Sequence, residues 1–298
     1  MFLDGYFYNN INTKKISKSS TNFTSGYNFW LNFLFERCVR LLKWKNLPDT
    51  IDNHELESIL LMNGTAGITD KYDNKLYVYN GAYAGKPTVY FDIFEDYTVY
   101  SPLYSDTLKI GEDVIVGKND SLKNSIYPLC HRYAMLLAHT DTSLAACLIN
   151  SRDKTVPIAS TEKQRVALEN YRNAMANGNI TTAVLDPAFV GVEFASIPNN
   201  GKDTLLEIME LRERLLNSFY NDIGVRTVRQ KSENLITSEI TGSDPMLLLN
   251  LTDMLDCRKK FADELNKKYN LNISVDKSDE LKYKEGENYE DDKFKTAV

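Results

Sequence analysis

Two long runs of helical apolar spacing, Leu122 to Ile149 and Thr204 to Tyr220, bracket an excursion from Ser151 to Gly201. A chain with this plan must fold around a pair of struts with an appendage between them. The first run carries Leu129, Tyr133, Leu136, Leu137, Leu144 and Leu148, with Arg132, His139 and Asp141 on other faces. The second carries Leu205, Leu206, Met209, Leu216, Phe219 and Tyr220, entered through Thr204 and Glu207 at capping-box spacing. The excursion reads as a strand-like TVPIA, a helix from Thr161 to Asn177 ending at Gly178, and a second strand around Ile180 to Leu185.

After the second strut comes IGVRTVRQKSENLITSEITGSDP, from Ile223 to Pro245. Arg226, Arg229 and Lys231 make its first half basic, and Glu233 and Glu239 make the second acidic. A loop this long inside a folded chain is functional or disordered, and its cations suit phosphate contact without base readout. Asp244 and Pro245 then have the chemistry of an N-cap and a first helical residue, leading into a helix with Leu248, Leu251, Leu255 and Phe261 that runs to Tyr269. LNISV follows as a strand. From Asp276 onward there are eight acidic and five basic residues and few apolar ones, the composition of a tail.

Upstream, Met1 to Ser20 has neither a helical nor a strand period and reads as an arm. From Trp30, the residues Phe33, Leu34, Cys38, Leu41 and Leu42 predict a helix that Asn46, Leu47 and Pro48 end. A shorter helix is expected after Asp52, with Glu55 three residues on and a stop at Asn63-Gly64, completing a helical hairpin. Between Ala66 and Val116, runs such as LYVYN and TVYFDIF, separated by Gly and Pro, predict a small antiparallel sheet.

Composition narrows the function. At 298 residues the chain can bury one elaborate core or two modest ones. A formal charge of −6 argues against a surface that coats nucleic acid throughout, so any such contact is local. Cys38, Cys130, Cys147 and Cys257 form no CxxC pair and read as reduced thiols. With no apolar run near 18 residues and no basic-then-apolar start, the expectation is folding in a cytoplasm without a membrane span.

Catalytic signatures are weak. GAYAGKPT, Gly81 to Thr88, has three residues between its glycines and Pro87 after Lys86, so it fails as a phosphate loop and reads as a hairpin turn. His54, His131 and His139 have no metal-site spacing, and Glu207, Glu210 and Glu213 read as a solvated helix face. No GxSxG elbow is present. The expectation is a non-enzyme with no catalytic residue, cofactor or metal.

KWKNLPDTI (Lys43 to Ile51), Asn63-Gly64, YNGAYAG (Tyr79 to Gly85), the 223–245 loop and LNKKYNLNISV (Leu265 to Val275) stand in an order that resembles the head–tail connector proteins, also called portal or upper collar proteins, of small short-tailed phages with protein-primed genomes. The likeness runs from about Trp30 to Val275. It implies an α+β portal fold: long stem helices, a small antiparallel sheet region in the wing, and an α/β clip, assembled as a ring. The implied organisation is a flexible N-terminal arm over 1–21, a wing over 22–121, a stem helix over 122–150, the clip over 151–202, a second stem helix over 203–222, the channel loop over 223–245, a wing or crown helix and strand over 246–275, and a charged flexible tail over 276–298.

The resemblance further implies a dodecameric ring at one capsid vertex, the channel for packaging, retention and ejection of double-stranded DNA. Arg226, Arg229 and Lys231 would be the DNA-channel loop residues. Implied partners are further copies of the chain, the major capsid and scaffolding proteins, a packaging ATPase, and a lower collar or tail protein, at the head–tail junction of the virion after assembly in the host cytoplasm. Some relatives open with a very basic segment that engages a packaging RNA, whereas this chain opens MFLDGYFYNNI, which weighs against RNA as a partner. Two readings from the residues remain beside this one: a monomeric nucleic-acid-binding accessory protein, and an enzyme using a cleft between sheet and helices.

Overall fold

Alternation of buried and exposed side chains builds the first described strand where a helix was expected. The computed structural model describes residues 23–87, 89, 94–103, 105–152, 155–176, 193–196, 201–225 and 249–279. Helix α1 (Phe23–Val39) stops well before Asn46, and β1 (Leu42–Lys45) follows with Leu42 and Trp44 buried and Lys43 and Lys45 exposed. A period of two over four residues outweighs the helical spacing that Leu41 and Leu42 suggested. The expected helical hairpin is thus a helix, a strand and a second helix.

That second helix, α2 (Asn53–Asn63), has the expected ends. The Asp52 carboxylate accepts from the Glu55 amide at 3.1 Å, and Gly64 closes the helix at φ +79°. Only glycine fits there, because an added Cβ would lie 2.1 Å from the Lys123 carbonyl oxygen.

The described residues divide into two units, one drawn from 31–133 and 217–279, the other from 23–30 and 134–216. In the first unit, β2 (Thr65–Thr69), β3 (Tyr77–Pro87), β4 (Phe94–Tyr100), β5 (Ser105–Lys109) and β6 (Ile115–Lys118) form a sheet in the order β5-β4-β3-β2-β6. Every pairing among them is antiparallel. Tyr79, Tyr97, Val99, Leu108 and Val114 form one core cluster of this sheet. The segment Gly81–Pro87 lies inside β3, not in a turn. Gly81 stands opposite Val99 with the neighbouring strand so close that a Cβ would meet the Thr98 carbonyl oxygen at 2.3 Å, and the pairing with β4 shifts register between Ala84 and Pro87.

Helix α6 (Leu249–Tyr269) lies on β6, with the Phe261 ring against Gly117, and β9 (Ser274–Lys277) returns to pair with β1, Trp44 opposite Val275. Asn266 fixes the turn between them by hydrogen bonds to both backbone groups of Ile273. Where these elements meet, Arg258 is wholly buried. It donates bidentately to Glu57, at 2.8 Å from Nε to Oε1 and 2.7 Å from Nη2 to Oε2, and also to the Asn119 backbone and side-chain oxygens. Trp44 Nε1 completes the Glu57 shell at 2.6 Å. Among the described residues no buried side-chain nitrogen or oxygen lacks a partner.

Helix α3 (Tyr127–Arg152) begins five residues later than the sequence suggested. Leu122 to Ile126 belong to a turn in which Asp120 takes the amides of Lys123 and Asn124, and Lys123 has φ +63°. Ser151 and Arg152, assigned to the appendage, continue the helix instead.

In the second unit, β7 (Thr155–Ile158) and α4 (Glu162–Ala176) match expectation. The described partner of β7 is β8 (Glu193–Ser196), antiparallel, with Val156 opposite Ala195. The strand expected over Ile180–Leu185 lies outside the described residues. Helix α5 (Gly201–Asp222) starts before Thr204, which is therefore an internal residue and not a cap.

Two outcomes test this packing. Arg258→Met strands the Glu57 carboxylate in a dry interior and lowers stability by about 3–5 kcal/mol, while adding Glu57→Leu recovers a large part of it, both read from urea unfolding. Burial pushes the Tyr97 phenol up to about 12, with the Thr65 hydroxyl at 3.1 Å acting in the opposite direction. An unfolded tyrosine titrates near about 10, so between those values the unfolded chain has released a proton that the folded chain keeps. Stability from this group is complete below about pH 10 and is lost as pH rises through about 12; Tyr97→Phe removes that part of the alkaline slope in urea midpoints.

Candidate functional site

Helix α5 ends by a defined device. Gly224 takes φ +82°, its amide bonds the Asn221 carbonyl at 3.0 Å, and the Val225 amide reaches the Tyr220 carbonyl at 2.8 Å. These are the two bonds of a Schellman motif. Ile223 and Val225 are buried, so the chain leaves the helix from an anchored position.

The last helical residue is Asp222, a carboxylate at the end where the helix dipole disfavours negative charge. Two donors from α3 offset that. Its Oδ2 accepts from the Tyr133 hydroxyl at 2.7 Å and from Arg132 Nη2 at 3.0 Å. Burial, with the Asp222 carboxylate second, pushes the Tyr133 phenol up and keeps it a donor. The Arg132 guanidinium lies 5.0 Å over the Tyr133 ring, whose other neighbour is Phe219, edge-on at 5.5 Å.

The same residue holds α6. Asn250 Nδ2 donates to the Asp222 carbonyl at 2.7 Å. One turn later, Asp253 accepts from the Ser121 amide at 2.8 Å and from its hydroxyl. Three helices, α3, α5 and α6, thus converge on Asp222, and the chain between Val225 and Leu249 has both flanks fixed. Arg226, Arg229 and Lys231 lie in that interval, outside the described residues, as do the cap Asp244 and Pro245 and the apolar Leu248.

In the second unit a separate cluster ties three helices together. Trp30 Nε1 donates to Asp141 Oδ2 at 2.6 Å, and Arg212 Nε stands 3.6 Å from Asp141 Oδ1 with its guanidinium 5.2 Å over the Trp30 ring. Glu207, Glu210 and Glu213 are exposed on α5, with Glu210 paired to Arg214 at 3.1 Å.

The histidines stand apart. His131 stacks parallel to Tyr127, His139 lies against Phe23, and His54 approaches Glu36 at 3.0 Å. Among the described residues no group of three His, Cys, Asp or Glu could hold a metal ion. The four cysteines are free, and the neighbouring Cys130 thiol and then burial push the Cys38 thiol well up, which keeps it protonated. No helix of the described residues is long and apolar enough to cross a membrane.

The contacts of Asp222 and Asn250 were not visible in the sequence. Asp-Ile-Gly at a helix end marks a C-cap, but nothing local announces that Arg132, 90 residues earlier, supplies the counter-charge.

Among solved structures, one titled "Portal and tail of native bacteriophage P68" is similar at 19% identity and a TM-score of 0.47, covering 87% of this chain and 89% of that one. No curated protein matches the chain. The model of the family described as Phage Connector (GP10) matches residues 7–282, a span that takes in both long helices, the sheet, the flanks of the 226–248 interval and the β1–β9 pairing. With nearly its whole length so matched, the chain belongs to the phage connector family and is a head–tail connector, a portal protein.

Proposed function

We propose that twelve copies close into a ring at one capsid vertex, that α3 and α5 form the stem around its bore, and that double-stranded DNA enters, is held and leaves through it. The observation that carries this reading is the aliphatic surface of both stem helices. Met135, Leu136 and Leu148 on α3, and Leu206, Met209 and Leu211 on α5, are 40–53% exposed in the single chain. On α5, Leu206 and Met209 share one side and Leu211 lies on another. A closed ring needs this: one face of each subunit meets a different face of the next.

The segment 151–202 is the clip that meets a packaging ATPase and later a lower collar or tail protein. The sheet unit is the wing, in contact with the major capsid and scaffolding proteins. Assembly takes place in the host cytoplasm. Arg226, Arg229 and Lys231, repeated around the ring, form a belt of positive charge, while the solvated Glu207, Glu210 and Glu213 add acidic wall. A duplex carries one phosphate charge per about 1.7 Å of axis, so a mostly acidic bore with one cationic level lets it slide without a deep binding minimum. The chain supplies guidance and grip, and another protein supplies the chemical energy.

Two experiments test the reading. Leu206→Asp with Met209→Asp leaves subunits folded by circular dichroism and abolishes rings in native mass measurement; intact twelve-membered rings overturn the stem interface. Arg226→Ala, Arg229→Ala and Lys231→Ala together leave rings intact but reduce the fraction of filled heads that keep their genome, and parental retention refutes the DNA role of these cations.

A further inference from the structure

We propose that α3 of one subunit meets α5 of the next, with Met135, Leu136 and His139 on the first helix receiving Leu206, Met209 and Glu213 on the second. This rests on the ring proposed above and assigns which of its faces are partners. All six side chains are exposed in the single chain and belong to one unit.

The two patches are alike in form and opposite in chemistry. Leu206, Met209 and Glu213 follow one another at i, i+3 and i+7, so they make one stripe along α5. Met135, Leu136 and His139 stand within about 100° of one another around α3, with His139 between the two aliphatic side chains. Each patch thus holds two aliphatic residues at 40–53% exposure and one polar group. Their charges differ. From Ala134 to Leu148 the one carboxylate is Asp141, which is half-buried and taken by Trp30 and Arg212. From Leu205 to Leu216, Glu207, Glu210 and Glu213 are exposed beside a single exposed guanidinium, Arg214.

Covering Leu206 and Met209 takes water from the Glu213 carboxylate, which then requires a donor. Arg214 is bound to Glu210, and among the described residues no hydrogen bond or ion pair holds Glu213. Two α5 stripes face to face would set Glu213 against its own copy, and like charges in contact repel. Two α3 patches would leave the imidazoles without a carboxylate. The mixed pairing gives Glu213 the His139 ring N–H, on an imidazole that the Phe23 ring supports at 4.4 Å. It is also heterologous, the kind of contact that closes a ring. Glu207 and Glu210 lie further round α5 and remain for the bore.

The test uses two spoiled chains, read by circular dichroism and native mass measurement. One carries Met135→Asp and Leu136→Asp, the other Leu206→Asp and Met209→Asp; all four sites are exposed, so both chains are expected to fold. Each alone remains a single subunit. Mixed, they form a one-to-one pair that grows no further, because one intact α3 patch meets one intact α5 stripe and both remaining faces are spoiled. Glu213→Arg in the first chain weakens that pair about tenfold, as loss of a charge-assisted hydrogen bond gives, and His139→Glu in the second recovers it. Homodimers of either chain alone overturn the pairing and leave the ring standing, since like faces would then meet. A mixture that stays as single subunits overturns it as well. Glu213→Arg without effect, or without recovery, overturns the contact with His139. Full rings from either spoiled chain alone remove the stem interface, and the pairing with it.

Discussion

The Arg258–Glu57 ion pair is the constraint around which the larger unit is arranged. A wholly buried guanidinium is tolerable only when its donors and its charge are answered, and here the answers come from four places in the chain: Glu57 on α2, Asn119 after β6, the Met254 carbonyl on α6 itself, and Trp44 through its bond to Glu57. Each partner must be in register for the others to be satisfied. The pair therefore specifies how α6 lies on β6 and how the β1–β9 ribbon lies beside both, beyond whatever net stability it contributes.

A second set of contacts gathers at Asp222. There one carboxylate bonds to α3 and one carbonyl bonds to α6. Among the described residues every buried side-chain nitrogen and oxygen has a partner, while α3 and α5 present exposed aliphatic side chains.

How far the sequence revealed this depends on whether the signal was local. Asp52 with Glu55, and Asn63-Gly64, specify both ends of α2 because a cap is chemistry within four residues. The sheet was legible from Tyr, Val and Thr alternation. Leu42 and Trp44 were misread, since four residues are too few for a period to declare itself, and their strand exists only because Ser274–Lys277 returns to pair with it. The start of α3 was misread for a similar reason: the turn at Asp120 and Lys123 is stabilised by the carbonyl packing against Gly64, which no window of sequence contains. GAYAGKPT looked like a turn because it has two glycines, yet Gly81 is there to admit the backbone and ring of the neighbouring strand. Arg226, Arg229 and Lys231 stand out by charge and family position alone and lie outside the described residues; Asp222 gave no signal because Arg132 and Tyr133, its carboxylate's partners, are distant in the chain.

The pairing of Leu42 with Lys277 and of Glu57 with Arg258 has a temporal meaning. During synthesis the early half of this unit emerges with an unmatched strand and a carboxylate awaiting its cation, and neither is satisfied until α6 and β9 have left the ribosome. A chain that stops before α6 therefore carries Glu57 without its counter-charge and β1 without its partner strand.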